Sequence, residues 1–109
     1  MHEMGIVAEI VAIAAARSGG ARVTRVIVRV GKLAAVLPDA LLFCFDAATE
    51  GTCLEGARLE IEEVPGRARC KACDAEITLD RPFGRCACGG DDLEWISGDE
   101  LQVRAMEVA

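Results

Sequence analysis

The chain has 109 residues, 52% of them hydrophobic but only 4% aromatic, and a formal net charge of −6. That length allows one compact domain, or a small core carrying a smaller module, packed mainly with Val, Ile, Leu and Ala. The acidic balance argues against nucleic acid, no apolar run reaches membrane-spanning length, and no basic-then-apolar leader with a small-residue cleavage site opens the sequence. The expected setting is the reducing cytoplasm, where clustered thiols bind metal more often than they pair.

Residues 4–17 place Ile6, Val7, Ile10, Val11, Ile13 and Ala14 at three- and four-residue spacing, with Glu9 and Arg17 off that face. This is an amphipathic helix, stopped by Ser18-Gly19-Gly20. Over residues 22–30 the period becomes two: Val26, Val28 and Val30 alternate with Arg25, Ile27 and Arg29, a half-buried strand ended by Gly31. A second helix begins near Pro38, which suits a first helical position. Its buried face is expected from Leu41, Leu42, Phe45, Ala48 and Thr49, and Gly51 weakens or ends it. Thr52 with Glu55 resembles a capping box for one further turn, closed by Gly56. Residues 58–64 alternate again, Leu59 and Ile61 against Glu60 and Glu62, as a second strand before Pro65-Gly66.

Cysteines then dominate. Cys70-Lys-Ala-Cys73 is followed, twelve residues on, by Cys86-Ala-Cys88. Two close pairs on facing turns bring four thiolates around one ion, and a tetrahedral sulfur shell suits a structural Zn²⁺. Iron could fill the same shell, and a redox dithiol is the other reading of a C-x-x-C pair. Residues 67–98 carry five basic and six acidic side chains, a poor phosphate-binding balance, and only one Trp and one Phe. Metal binding and folding of this segment are therefore expected to be coupled. Cys44 and Cys53 read as small buried apolar residues. After Ser97-Gly98, residues 100–108 form a last strand, in which Met106 and Val108 fall opposite Leu101 and Val103, so a bulge or burial on both faces is expected.

These elements describe an α+β protein. A core of residues 1–66 and 99–109 holds a three-stranded mixed sheet with two helices on one face, and residues 67–98 form an inserted four-cysteine zinc-ribbon module. The strand–helix–strand stretch favours a right-handed parallel crossover. At the chain start, the Met1 α-amine, the His2 backbone nitrogen and the His2 imidazole can close fused chelate rings around Ni²⁺ or Cu²⁺, beside the Glu3 carboxylate. Asp39, next to Pro38, could supply an oxygen ligand or simply favour the helix N-terminal dipole. Neither a Ser/His/Asp set nor a phosphate-binding glycine loop nor a convergent acid–base pair is evident, so nothing points to an enzyme.

Taken in order, Met1-His2-Glu3-Met4 leading into an Ile/Val helix, Val28-Arg29-Val30-Gly31-Lys32-Leu33 before Pro38, Glu50-Gly51-Thr52 with Leu54-Glu55-Gly56-Ala57, the paired cysteines and Ser97-Gly98-Asp99-Glu100-Leu101 resemble the HypA/HybF family of hydrogenase maturation factors across essentially the whole chain. The resemblance implies a nickel metallochaperone for [NiFe]-hydrogenase that in some organisms also feeds urease. It implies His2 as the essential nickel ligand with Glu3 beside it, Asp39 as a softer correspondence, and Cys70, Cys73, Cys86 and Cys88 as structural zinc ligands. It also implies docking to the maturation GTPase HypB and the hydrogenase large-subunit precursor, by a monomer or homodimer. The second cysteine pair is C-x-C here where the family commonly has C-x-x-C. The rival reading is a zinc-ribbon interaction adaptor without its own nickel site.

Overall fold

The computed structural model describes residues 2–109, with side chains from Glu3 onward. Two helices, α1 (His2–Ser18) and α2 (Pro38–Thr49), accompany the strands β1 (Val23–Gly31), β2 (Arg58–Val64) and β6 (Leu101–Val108), which pair in the order β2-β1-β6. Three shorter strands, β3 (Gly66–Cys70), β4 (Glu76–Leu79) and β5 (Leu93–Ser97), make a second sheet in the order β4-β3-β5. By its contacts the chain divides into two compact units, one of Met1–Val28, Val36–Glu62 and Gln102–Ala109, the other of Arg29–Ala35 and Glu63–Leu101.

In the first unit α1 and α2 pack on each other. Val7, Ile10, Val11 and Ala14 are the buried stripe of α1, and Leu41, Cys44, Phe45 and Thr49 that of α2. The α1 stripe follows the expected period, with Ile6 and Ile13 half-buried at its margins. On α2 Leu41, Cys44, Phe45 and Thr49 are buried as expected, but Leu42 is exposed. At 100° per residue 41, 44, 45 and 48 centre on one side, and Leu42 lies at its margin, about 20° from Thr49, where the end of the helix nearer Thr49 is covered and the turn carrying Leu42 is not. Gly19 and Gly20, both at positive φ, end α1 where a residue with a Cβ would be strained.

Val26, Val28 and Val30 of β1 are buried as their alternation requires. Ile27 is buried too, so this central strand is covered on both sides there, not half-buried throughout. In the mixed sheet β1 and β6 are antiparallel: the Ala109 N–H donates to the Arg22 carbonyl and the Gly31 N–H to that of Glu100, at 2.9 and 2.8 Å. The remaining pair, β1 with β2, is therefore the parallel one, joined through α2. Strand β6 is an edge on which Val103 and Ala105 on one face and Met106 on the other are half-buried, the rest being exposed. The turn after α2 keeps the logic of a capping box without forming a helix. The Thr52 hydroxyl accepts the Leu54 N–H at 3.1 Å, and the Glu55 carboxylate accepts the N–H of Gly51 at 2.7 Å.

The second unit has a core of three buried residues, Leu33, Ala68 and Leu79, with Ile77 and Leu93 packed around them. Leu33 arrives from a 3₁₀ turn at Lys32–Ala34, far in sequence from the other four. It is held by backbone bonding, its N–H donating to the Gly98 carbonyl at 2.7 Å. Gly31 has ordinary extended dihedrals, yet a Cβ there would collide with the Gly98 carbonyl, and only a glycine admits so close an approach.

Candidate metal centre

Strand β3 ends on Cys70, and the chain turns back at once. The Asp74 N–H reaches the Cys70 carbonyl at 2.7 Å, and the Cys70 N–H reaches the Ala75 carbonyl at 2.9 Å. Asp74 takes the left-handed conformation at φ 65°, a region that Asp tolerates better than most residues. The second turn is built alike: the Cys86 N–H donates to Gly90 and the Gly89 N–H to Cys86, both at 2.9 Å. A bond from the Lys71 N–H to the Asp92 carbonyl at 3.0 Å ties the two turns together.

The sulfurs consequently converge. Cys70 Sγ lies 3.6 Å from Cys88 Sγ, Cys73 Sγ lies 3.5 Å from Cys86 Sγ, and all four ligand atoms fall within 4.8 Å of one another. A tetrahedral shell of four sulfurs with Zn–S near 2.3 Å has S···S edges of about 3.8 Å, so the set fits zinc. The shortened pair reaches because Gly90 follows it: its N–H donates to Cys88 Sγ at 3.4 Å, and a Cβ on it would lie 3.0 Å from Cys70 Sγ. Cys70 and Cys86 are buried, while Cys73 and Cys88 face solvent.

Electrostatics prepare the cluster unevenly. The Cys70 thiol is drawn down to about 7, chiefly by the Cys73 backbone N–H, against the cost of desolvation and with help from the Ala72 N–H and the Cys88 thiol. Cys73 is pushed up to about 12: the Ala75 N–H favours its thiolate, but the Cys86 and Cys88 sulfurs together with burial outweigh that. Four adjacent thiolates repel one another, and a divalent cation removes that repulsion. Four sulfurs also complete a tetrahedral shell, leaving no position for an incoming ligand.

The residues expected to take nickel are placed differently. Met1 and the side chain of His2 lie outside the described residues. Glu3 is half-buried in the first turn of α1, and Asp39 is exposed in the first turn of α2, directly after Pro38. Among the described residues the four cysteines are the group of three or more ligating side chains that converges. Cys44 is buried in α2, and Cys53 is half-buried with its sulfur 3.8 Å from the Ser18 hydroxyl.

A family model described as "Hydrogenase/urease nickel incorporation, metallochaperone, hypA" matches residues 1–108. The chain belongs to the HypA family. Curated HypA relatives include hydrogenase maturation factor HypA of Nostoc punctiforme, 53% identical over 108 residues and covering 99% of this chain and 96% of the relative. The HypA of Geotalea uraniireducens is 48% identical over 109 residues, with 99% of each chain covered. Among solved structures, the nickel metallochaperone HypA from Helicobacter pylori superposes with a TM-score of 0.65 over 97% of this chain and 96% of that one, at 20% identity. A second HypA solution structure gives 0.66 at 23% identity, covering 100% and 97%. At those identities the HypA structures support the fold, and the family itself rests on the sequence matches.

Sequence reasoning missed Leu33 as part of the cysteine-bearing unit. The only trace is an apolar residue directly after Gly31-Lys32, outside either period.

Proposed function

We propose that this chain is a nickel metallochaperone acting in [NiFe]-hydrogenase maturation, with Ni²⁺ held at the chain start and Zn²⁺ held structurally by Cys70, Cys73, Cys86 and Cys88. The observation that carries it is the match of HypA over residues 1–108 to a chain in which the convergent sulfur site among the described residues has a four-donor, closed set. A cargo ion must leave by ligand exchange, and a completed tetrahedral sulfur shell suits retention instead. The exchangeable donors therefore belong elsewhere: the Met1 α-amine, the His2 amide and imidazole, Glu3 and Asp39.

Helix geometry supports that assignment. Helix α1 begins at His2, so the His2 N–H is among the first four amides, which have no intrahelical acceptor. Using this nitrogen as a donor breaks no helix hydrogen bond. A cation at a helix N-terminus opposes the macrodipole, and the Glu3 carboxylate in the same turn offsets that charge. Binding displaces protons from the amine, ordinarily near about 7.7–8.0, and the imidazole, near about 6.5, so acid releases the ion. Cu²⁺ binds such donors more tightly than Ni²⁺, so selection comes from geometry, supply and partner contacts.

The partners in this reading are the maturation GTPase HypB and the hydrogenase large-subunit precursor, with urease maturation proteins in some organisms, in the cytoplasm. No described helix is long and apolar enough to cross a membrane. Residues 67–98 act mainly as a docking module, and residues 1–66 and 99–109 form the nickel-binding core. Nickel titration of the native chain and His2→Ala tests the proposal: the native chain binds Ni²⁺ and the variant does not. Equal nickel uptake by the variant overturns it and leaves a zinc-ribbon adaptor as the reading.

A further inference from the structure

Helix α2 turns Leu41, Cys44, Phe45 and Thr49 inward, and its outer face is apolar at the centre. Phe43 is 81% exposed, with Leu42 beside it and Leu37 at the N-cap also exposed. A lone exposed apolar side chain is ordinary, but an aromatic residue held on a rigid helix among other exposed apolar ones is the usual form of an interface anchor. Asp39, Phe43, Asp46 and Glu50 follow one another at spacings of four, three and four, so the carboxylates border Phe43 along a single stripe.

Among the described residues of the unit, no basic side chain neutralises that border. Helix α2 contains no Lys or Arg. The arginines of the unit are all engaged elsewhere: Arg17 with the Val103 carbonyl, Arg22 with the Glu55 carbonyl, Arg25 with Glu60 and Glu107, Arg58 with Glu60 and Arg104 with Glu62. Asp39, Asp46 and Glu50 make no ion pair among the described residues. Local physics works against this placement. Asp46 is near the helix C-terminus and Glu50 caps it, where the dipole disfavours negative charge, and the two repel at four-residue spacing.

We infer that this outer face of α2 is a docking surface for a cationic protein segment, with Phe43 entering an apolar pocket rimmed by Lys or Arg. Complementary charge would supply what the helix itself lacks and would steer the encounter. A second copy of this chain fits poorly, because a two-fold interface would set the same carboxylates against each other. Asp39 is also among the proposed nickel donors, whereas Phe43, Asp46 and Glu50 are not, so the test rests on those three.

The test uses the full zinc-loaded chain and a synthetic fourteen-residue helical peptide of Lys and Leu. Amide chemical shifts follow its binding, and a peptide with Ser in place of Leu is the control. The expected shifts fall on the exposed positions of residues 37–50, and Phe43→Ser weakens binding roughly tenfold or more. Asp46→Asn with Glu50→Gln weakens it several-fold at low salt, and the difference disappears near about 0.5 M salt, where the screening length is only a few Å. Phe43 and both acids are exposed, so these variants keep the fold, and Asp39 is left untouched. Shifts centred elsewhere, equal binding of the Ser control, unchanged affinity in Phe43→Ser, or self-association through α2 in sedimentation would each overturn the inference.

Discussion

Replacing Leu33 by Ala tests whether the 3₁₀ turn at Lys32–Ala34 belongs to the metal centre's folding unit. Leu33 is 3% exposed and is the largest contributor, with Leu79, to a core of only three buried residues. Leu→Ala in a core costs about 2–5 kcal/mol, and a shallow cluster that can partly collapse belongs at the lower end, about 2–3 kcal/mol. Where metal binding and folding are one equilibrium, that loss passes directly into apparent metal affinity. At about 1.4 kcal/mol per tenfold, zinc affinity should fall roughly 30- to 150-fold. Competition against a calibrated chelator at pH 7 measures this, with Phe83→Ser, a 71%-exposed residue of the same unit, as a control that should leave affinity unchanged. If Leu33→Ala held zinc within threefold of the native chain, the unit would fold around its metal without this residue, and metal binding would not be coupled to this core.

Two further outcomes follow from geometry and charge. Gly31→Ala drives a Cβ into the Gly98 carbonyl and separates Leu33 from its hydrogen bond, so urea unfolding should show a loss of about 1–3 kcal/mol; an unchanged midpoint would mean that the two strands part without cost. Glu60, held below the usual carboxylate range by its side-chain bond to Arg25, contributes stability above its unfolded pKa of about 4.3, and loses it as pH falls through the lower folded value. Metal-free native protein and Glu60→Gln should therefore differ in denaturant midpoint at neutral pH, and the gap should close as pH falls through the lowered folded value. A gap that persists in acid would assign the difference to packing and not to the carboxylate.

The elements legible in the sequence are those with a long, single period. Val7, Ile10, Val11 and Ala14 announce α1, and the alternations around Val28 and Leu59 announce β1 and β2, because each has enough turns or pleats for the pattern to repeat. Strands β3, β4 and β5 have five, four and five residues, too few for a period to stand out, and Ala68 is buried between Arg67 and Arg69. Their order comes from pairing across the sheet, Arg67 with Thr78 on one side and Cys70 with Leu93 on the other. The exposure of Leu42 on α2 is not legible in sequence, because Leu41 and Leu42 are chemically identical and tertiary packing selects between them.

Cysteine spacing alone says that two pairs of sulfur donors exist and roughly how far apart along the chain they lie. That Cys86-Ala-Cys88 delivers both sulfurs despite its short loop depends on Gly90 passing within reach of Cys70, a fact of three dimensions. Likewise, local sequence determines that residue 31 is a glycine and residue 33 a leucine, but the folded chain decides why. The Gly98 backbone comes from far along the chain to occupy the space a side chain would need, and carries Leu33 into a core made otherwise of residues beyond position 65. Periodicity and ligand chemistry are local properties and can be read along a chain, whereas close approach between distant segments exists only once they have met.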